Sequence, residues 1–266
     1  MNFSVKTTVF ALTAIIFGET GCRKITPSEE KPIVTPPVNN SQLFIPVKLE
    51  STRQQIQLKY LENSNLLLTV EDNAGRKELI KYNKNKLASG FESYENNQLV
   101  YSSDYFRDAG GRVNTINQFK VNGPAFTPTG HLSIAYDSDN RIAHVSTFDL
   151  HDQLTEHEIY TYDQQGHLIH IETEKPSFKS ETSICSYDQK KGLCDAVPNA
   201  LLFTIESRYK FLFYSVTVNL LSKTAISTEK GYTCSYEYNS QSQPSKLNLL
   251  EGSLKTTFTL TYKTLP

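Results

Sequence analysis

Along most of the chain, short runs of alternating apolar and polar residues end at a tyrosine and restart a few positions later. Tyr136, Tyr162, Tyr187, Tyr238 and Tyr262 follow one another at intervals of 26, 25, 51 and 24 residues, the third interval spanning two repeats. A recurring interval of this kind marks one supersecondary unit used many times. Two positions before these tyrosines stand Ile134, Tyr160, Cys185, Tyr236 and Leu260. One position before them stand Ala135, Thr161, Ser186, Glu237 and Thr261. A period of two predicts strands with one buried face.

Asp137, Asp163, Asp188 and Asn239 come directly after their tyrosines. A side-chain oxygen there accepts bonds from backbone N–H groups two residues on and so opens a turn. Asn140 and Gly166 stand where such a turn needs positive φ. Ile142 with Val145, Leu168 with Ile171, and Leu247 with Leu249 then begin the return strand, with slips in alternation that β-bulges account for. Weaker copies lie upstream, in "KYNKNKLASGF" (81–91), "SYENNQLVY" (93–101) and "YFRDAGGRVNTI" (105–116), and residues 66–82 read as the first full hairpin. From residue 45 to 266 the pattern therefore predicts an all-β domain. It is an antiparallel up-and-down meander of about a dozen strands or more, curled into an open or partly closed barrel.

One repeat is missing, and residues 192–223 take its place. The segment 196–223 has no glycine, and Val197, Leu201, Ile205, Tyr209 and Leu212 recur at helical spacing. A short helical insertion is expected over 196–212, followed by a buried strand, packed on the concave side of the sheet. Apolar insertions of this kind complete a core more often than they lid a ligand.

The first residues follow another pattern. A polar start with Lys6 precedes the apolar run "TTVFALTAIIFG", too short to span a bilayer and suited to a secretory signal over residues 1–21. "ETGC" then resembles the end of a bacterial lipoprotein signal, which implies lipidation of Cys22 and a membrane partner through that lipid anchor. Residues 28–30, "SEE", resemble the acidic patch with which some Bacteroidota direct lipoproteins to the cell surface. From 22 to 44, prolines 27, 32, 36 and 37 describe an extended tether, with a reach of up to ~60 Å at ~3 Å per residue. The location these features imply is the cell envelope, as an outer-membrane lipoprotein on its periplasmic side or at the surface.

With 27 basic and 28 acidic side chains the formal charge is −1, which gives no footprint for nucleic acid. Tryptophan is absent, so 15 tyrosines and 14 phenylalanines carry all the aromatic area. Three cysteines follow Cys22. Cys185 and Cys234 share a strand face in this register and are the expected disulfide, leaving Cys194 as a thiol.

"YDSDNRI", "YDQQGHL" and "YDQKKGL" resemble the Tyr-Asp repeats of Rhs and teneurin shells. With signal, tether and late apolar insertion ending in "LLSK" (220–223), the whole chain resembles YD-repeat-like lipoproteins of Bacteroidota of unassigned function. That resemblance implies a fold and a location, not a reaction.

Candidate chemistry is sparse. All six histidines lie between residues 131 and 170, in hairpins that also carry Glu156, Glu158 and Glu172. His144, His157 and His170 are the candidate metal ligands of a metal-assisted hydrolase, but solvated strand histidines are the better reading and no metal site is assigned. Nucleophile elbows, dinucleotide fingerprints and phosphate loops are absent, and no cofactor is expected. The favoured function is a non-catalytic binding or structural module, its tyrosine-rich sheet facing a glycan or a protein ligand.

Overall fold

The computed structural model describes residues 43–176, 178–228 and 231–265. The expected signal peptide, Cys22 and the tether as far as residue 42 lie outside the described residues. Sixteen strands follow in chain order. The first eight are β1 (Leu43–Glu50), β2 (Gln55–Tyr60), β3 (Leu67–Asp72), β4 (Arg76–Tyr82), β5 (Ala88–Glu95), β6 (Gln98–Arg107), β7 (Val113–Asn122) and β8 (Ala125–Tyr136). The remainder are β9 (Ile142–Phe148), β10 (Leu154–Tyr162), β11 (Leu168–Lys175), β12 (Phe178–Lys191), β13 (Val218–Ala225), β14 (Gly231–Tyr238), β15 (Pro244–Glu251) and β16 (Leu254–Leu265).

Every strand pairs antiparallel with its neighbours in sequence, and β16 returns to β1 from Leu43↔Leu265 to Glu50↔Thr259. The barrel is therefore closed, where the sequence pattern left it open or partly so. Closure satisfies the two edges that a meander of this width would otherwise expose.

Alternation sets the two faces of the wall. In β16, Phe258 and Leu260 are buried inside while Lys255, Thr257, Thr259, Thr261 and Lys263 are exposed outside. In β14, Cys234 points inward between exposed Thr233 and Ser235. Slips of register recur where a tyrosine ends its strand, as at Thr161/Tyr162 opposite Leu168 and at Ala135/Tyr136 opposite Ile142. These are the anticipated bulges.

The lumen is filled by the chain itself. Residues 192–217, between β12 and β13, carry two single helical turns, α1 (Ala200–Phe203) and α2 (Lys210–Phe213). Phe203, Leu212 and Phe213 are almost wholly buried in the same core as Leu49, Ile116 and Leu247 of the wall. Phe203 meets Phe213 edge-on at 5.6 Å, and Phe211 stacks on Phe258 at 6.5 Å.

One helix was expected over 196–212, and the structure splits it. The Thr204 hydroxyl bonds back to the Leu201 carbonyl at 2.7 Å, and the next residues turn outward to polar partners on the wall. Tyr101 and Tyr105 of β6 each donate to the Glu206 carboxylate at 2.5 Å. Ser207 Oγ and the Arg208 backbone N–H donate to Glu78 of β4 at 2.5 and 2.8 Å. These bonds hold the tip of the insertion six to eight strands around the barrel from its root at β12. The helical reading holds again at the second turn, Lys210–Phe213, and the strand expected after residue 212 starts only at Val218.

The expected Cys185–Cys234 disulfide is not formed, and Cys185, Cys194 and Cys234 are three buried thiols. Cys185 and Cys234 do share the inner face, but β13 runs between their strands, with Lys223 opposite Cys185. Two strand spacings separate them by ~9.5 Å, beyond the reach of a disulfide.

Candidate functional site

At one rim of the barrel three turns, beginning at Asp108, Asp137 and Asp163, are built to a common plan. The Asp137 Oδ1 accepts from the backbone N–H groups of Asp139 and Arg141, both at 2.9 Å. Asp163 does the same for Gln165 and His167, and Asp108 for Arg112. The other carboxylate oxygen takes the side chain four residues on: Arg112 Nε at 2.8 Å, Arg141 Nε at 2.7 Å, His167 Nδ1 at 2.9 Å. Position four of the turn has positive φ throughout, at Gly111, Asn140 and Gly166, as the sequence required of the last two.

These bonds fix the charges. The Arg112 backbone N–H and guanidinium hold the Asp108 carboxyl below its ordinary range. At Asp137 partial desolvation pulls the other way, but the bonds from Arg141 and Asp139 prevail and the carboxyl is again lowered.

The tyrosine before the turn points inward and donates its hydroxyl across the hairpin. Tyr82 bonds to the Leu67 carbonyl, Tyr136 to Val113 and Tyr162 to Ile142, each at 2.8 Å. Each basic residue of one turn lies on the tyrosine of the next. Arg112 sits 5.0 Å from the Tyr136 ring centre, Arg141 4.7 Å from that of Tyr162, and His167 packs against Tyr187 at 5.8 Å. The rim is thus a ladder in which guanidinium and imidazole groups alternate with aromatic rings.

Between this ladder and the insertion lies a cavity of about 500 Å³. The wall contributes Leu87, Val113, Ile142 and Leu168, and the insertion contributes Leu201, Leu202 and Val216. Tyr136, Tyr162 and Tyr187 stand among them, with Arg107 at the same level. Beside the cavity the wall parts. β11 and β12 pair only as far as His170↔Ile184, and rim-ward of that pair a second space of about 470 Å³ lies between Ile169 and Ser186.

The three histidines proposed as metal ligands are elsewhere. His144 and Ser146 flank inward-facing Val145, so they lie on the outer face with His157 opposite Ser146. The His144 and His157 rings stack at 5.3 Å, and His157 Nδ1 lies 2.9 Å from Ser146 Oγ. His170 pairs with Thr161 and Ile184 and does not join them. Among the described residues no three His, Cys, Asp or Glu side chains are grouped to hold a metal ion. Sequence reasoning did not single out Arg107, Leu201 and Leu202 as a site. For Arg107 a signal was present: "RD" at 107–108 stands where other copies read "YD".

No protein-family model and no curated protein matches the chain. Among solved structures, a porin-like protein from Bacteroides uniformis is 12% identical, with a TM-score of 0.52 over 84% of this chain and 96% of that one. A porin-like protein from Bacteroides vulgatus is 11% identical, with a TM-score of 0.49 over 82% and 99% of the two chains. A chain of the Photorhabdus luminescens Tc holotoxin pore is 12% identical, with a TM-score of 0.31, and only 9% of it is covered. The first of these likenesses shows a shared barrel fold. The wall's polarity is this chain's own: lysines, threonines and glutamates face outward and aliphatic residues face inward, the reverse of the apolar outer band of a membrane barrel.

Proposed function

We propose that this chain is a lipid-anchored protein of the cell envelope whose barrel is a non-catalytic binding module, and that its ligand seats an apolar body in the rim cavity. The cavity carries the reading. Its volume falls in the range of small-molecule sites, and most of its lining surface is apolar, with Arg107, Arg112, Arg141, Asn140 and His167 set among aliphatic and tyrosine side chains. The envelope location rests on the signal-like N-terminus, Cys22 and the tether, together with a wall that suits water rather than lipid.

Two observations favour an apolar ligand over the glycan considered first. One face of Tyr136 and one of Tyr162 are covered by Arg112 and Arg141, and both hydroxyls are engaged by backbone carbonyls. Those rings serve the turn plan and are poor platforms for a sugar. Hydrolysis by the histidine-rich hairpins gains no support, because His144 and His157 sit on the outer wall and no third ligand is grouped with them among the described residues.

The test is titration with N-phenyl-1-naphthylamine, a neutral apolar dye that fluoresces on leaving water. Wild-type protein is expected to bind it saturably at one site. Leu201→Trp, which extends a half-buried side chain into the cavity, should abolish that site while leaving the melting temperature nearly unchanged. No saturable binding, or equal binding by the filled variant, would remove the cavity as a ligand site.

A further inference from the structure

Arg107 breaks the rule of the rim. It occupies the position before the turn aspartate, Asp108, that Tyr136 and Tyr162 occupy in the next two copies. Its backbone role is the same as theirs. Its Nη2 donates to the Ala88 carbonyl at 2.5 Å, across the hairpin from the neighbouring turn, as the tyrosine hydroxyls donate to Val113 and Ile142. A tyrosine would make that bond without a charge, so the charge is surplus to the structure.

That charge is also unlike its neighbours. Arg112 is paired with Asp108, Arg141 with Asp137 and Asp139, and His167 with Asp163. Arg107 has carbonyl partners only, Ala88 and Gly111 at 2.5 and 2.7 Å, and no carboxylate within 4.0 Å among the described residues. A guanidinium has five N–H donors, and these two bonds use two of them. They fix its plane against the wall of the cavity, which it lines beside Val113 and Tyr136. A held, unneutralised cation at the edge of an apolar hollow favours an anionic group on whatever fills that hollow.

We infer that Arg107 is the anion-recognising residue of this site and that the ligand is an amphiphile with one anionic group, such as a carboxylate, on an apolar body. The inference rests on the reading of the cavity as a ligand site. The apolar body lies against Leu201, Leu202 and Ile142, and the anion takes the free donors of Arg107. The paired rim cations Arg112 and Arg141 keep their own carboxylates.

Competition against N-phenyl-1-naphthylamine tests it, with decanoate, decanol and decyltrimethylammonium as competitors at about pH 8, where the carboxylate is ionised. Wild-type protein should prefer decanoate to decanol by about tenfold or more, as expected of a charge-assisted bond, and should bind the cationic analogue worst. Arg107→Tyr restores the rule of the rim and its bond to Ala88, so the fold is kept. Read as the ratio of the two affinities within this one variant, the preference for decanoate over decanol should be lost. Arg107→Lys should keep part of it. Decyl phosphate in a parallel arm separates a carboxylate ligand from a phosphate one, and a preference for either over decanol supports the inference.

Equal binding of decanoate and decanol by wild type, or an Arg107→Tyr protein that still prefers decanoate, overturns the role of Arg107 while leaving the cavity standing. Failure of the dye itself to bind wild-type protein overturns both.

Discussion

Glu78 should make this protein less stable as the solution moves from mildly acidic to neutral. Its side chain is only 3% exposed, on the inner face of β4, where it receives the tip of the insertion through Ser207 and Arg208. Burial is the largest influence on it and pushes the carboxyl from 4.5 to about 7, against the opposing pull of those two bonds and of the Arg208 guanidinium. The sign follows from proton counting. Between 4.5 and about 7 the folded chain holds a proton on Glu78 that the unfolded chain has released, so stability falls as pH rises through that window. At 1.36 kcal/mol per unit the loss is ~3 kcal/mol, complete above pH 7 and absent below 4.5. Glu206 is raised as well, first by desolvation, and acts in the same direction. The turn aspartates act oppositely. Asp108, Asp137 and Asp163 are lowered, so their contribution is lost only as the solution falls below the ordinary aspartate range of 3.8, outside this window. Glu78→Gln removes the titration and keeps an amide oxygen for the Arg208 N–H. Urea unfolding followed by circular dichroism from about pH 4.5 to 7.5 is the assay. The gap between variant and wild type should move by ~3 kcal/mol in favour of the variant across that range. Parallel profiles for the two proteins would refute the reasoning, since they would mean that Glu78 is equally proton-hungry folded and unfolded.

Three further outcomes are expected. Gly166 has φ +86° with open space beside it, the nearest atom to an added Cβ being Arg141 Nη1 at 3.7 Å, so Gly166→Ala should cost ~1 kcal/mol of backbone strain. At Gly130 an added Cβ would lie 2.0 Å from the Phe148 carbonyl of the paired strand, so Gly130→Ala should lower the melting temperature clearly more; equal shifts would contradict the β8–β9 contact. Cys22→Ser should release the full chain from the membrane fraction, and unchanged sedimentation would remove the lipid anchor.

The repeat, its inward face and its turn chemistry were legible because they are local. Tyr160 and Ile134 are buried as period two required, and the aspartate after each tyrosine makes the bonds that its position suggested. Sixteen strands agree with the dozen or more expected, and the weaker copy at 93–101 does turn at Asn96 and Asn97, with φ of 49° and 64° between β5 and β6. Closure was not legible, because Leu43↔Leu265 joins the two ends of the domain and no local signal records that partner. The disulfide failed for a related reason. Face could be read from alternation, but β13 sits within a segment read as insertion, and it separates the two cysteines. The helix at 196–212 was broken by polar partners distant in sequence, Glu78 and Tyr101, which helical periodicity does not contain.

The cavity follows from how this barrel is filled. Sixteen strands enclose a lumen too wide for wall side chains to close, and with lysine and threonine facing outward the interior must be the core. The 192–217 insertion supplies that core, but it enters at β12, and its tip is fastened to β4 and β6 on the far side. A strut tied at both ends cannot also settle against every strand beside its path. The space it leaves is bounded by the tyrosine rim of β6 to β12, where the hydroxyls already hold the turns and cannot swing inward to fill it. Most of the lining surface of this hollow is apolar, so an apolar body that displaces water from it gains both contact and released solvent. The one copy of the repeat that gives up its tyrosine for a cation does so at the edge of this space, and there a departure from the architectural rule carries chemical meaning.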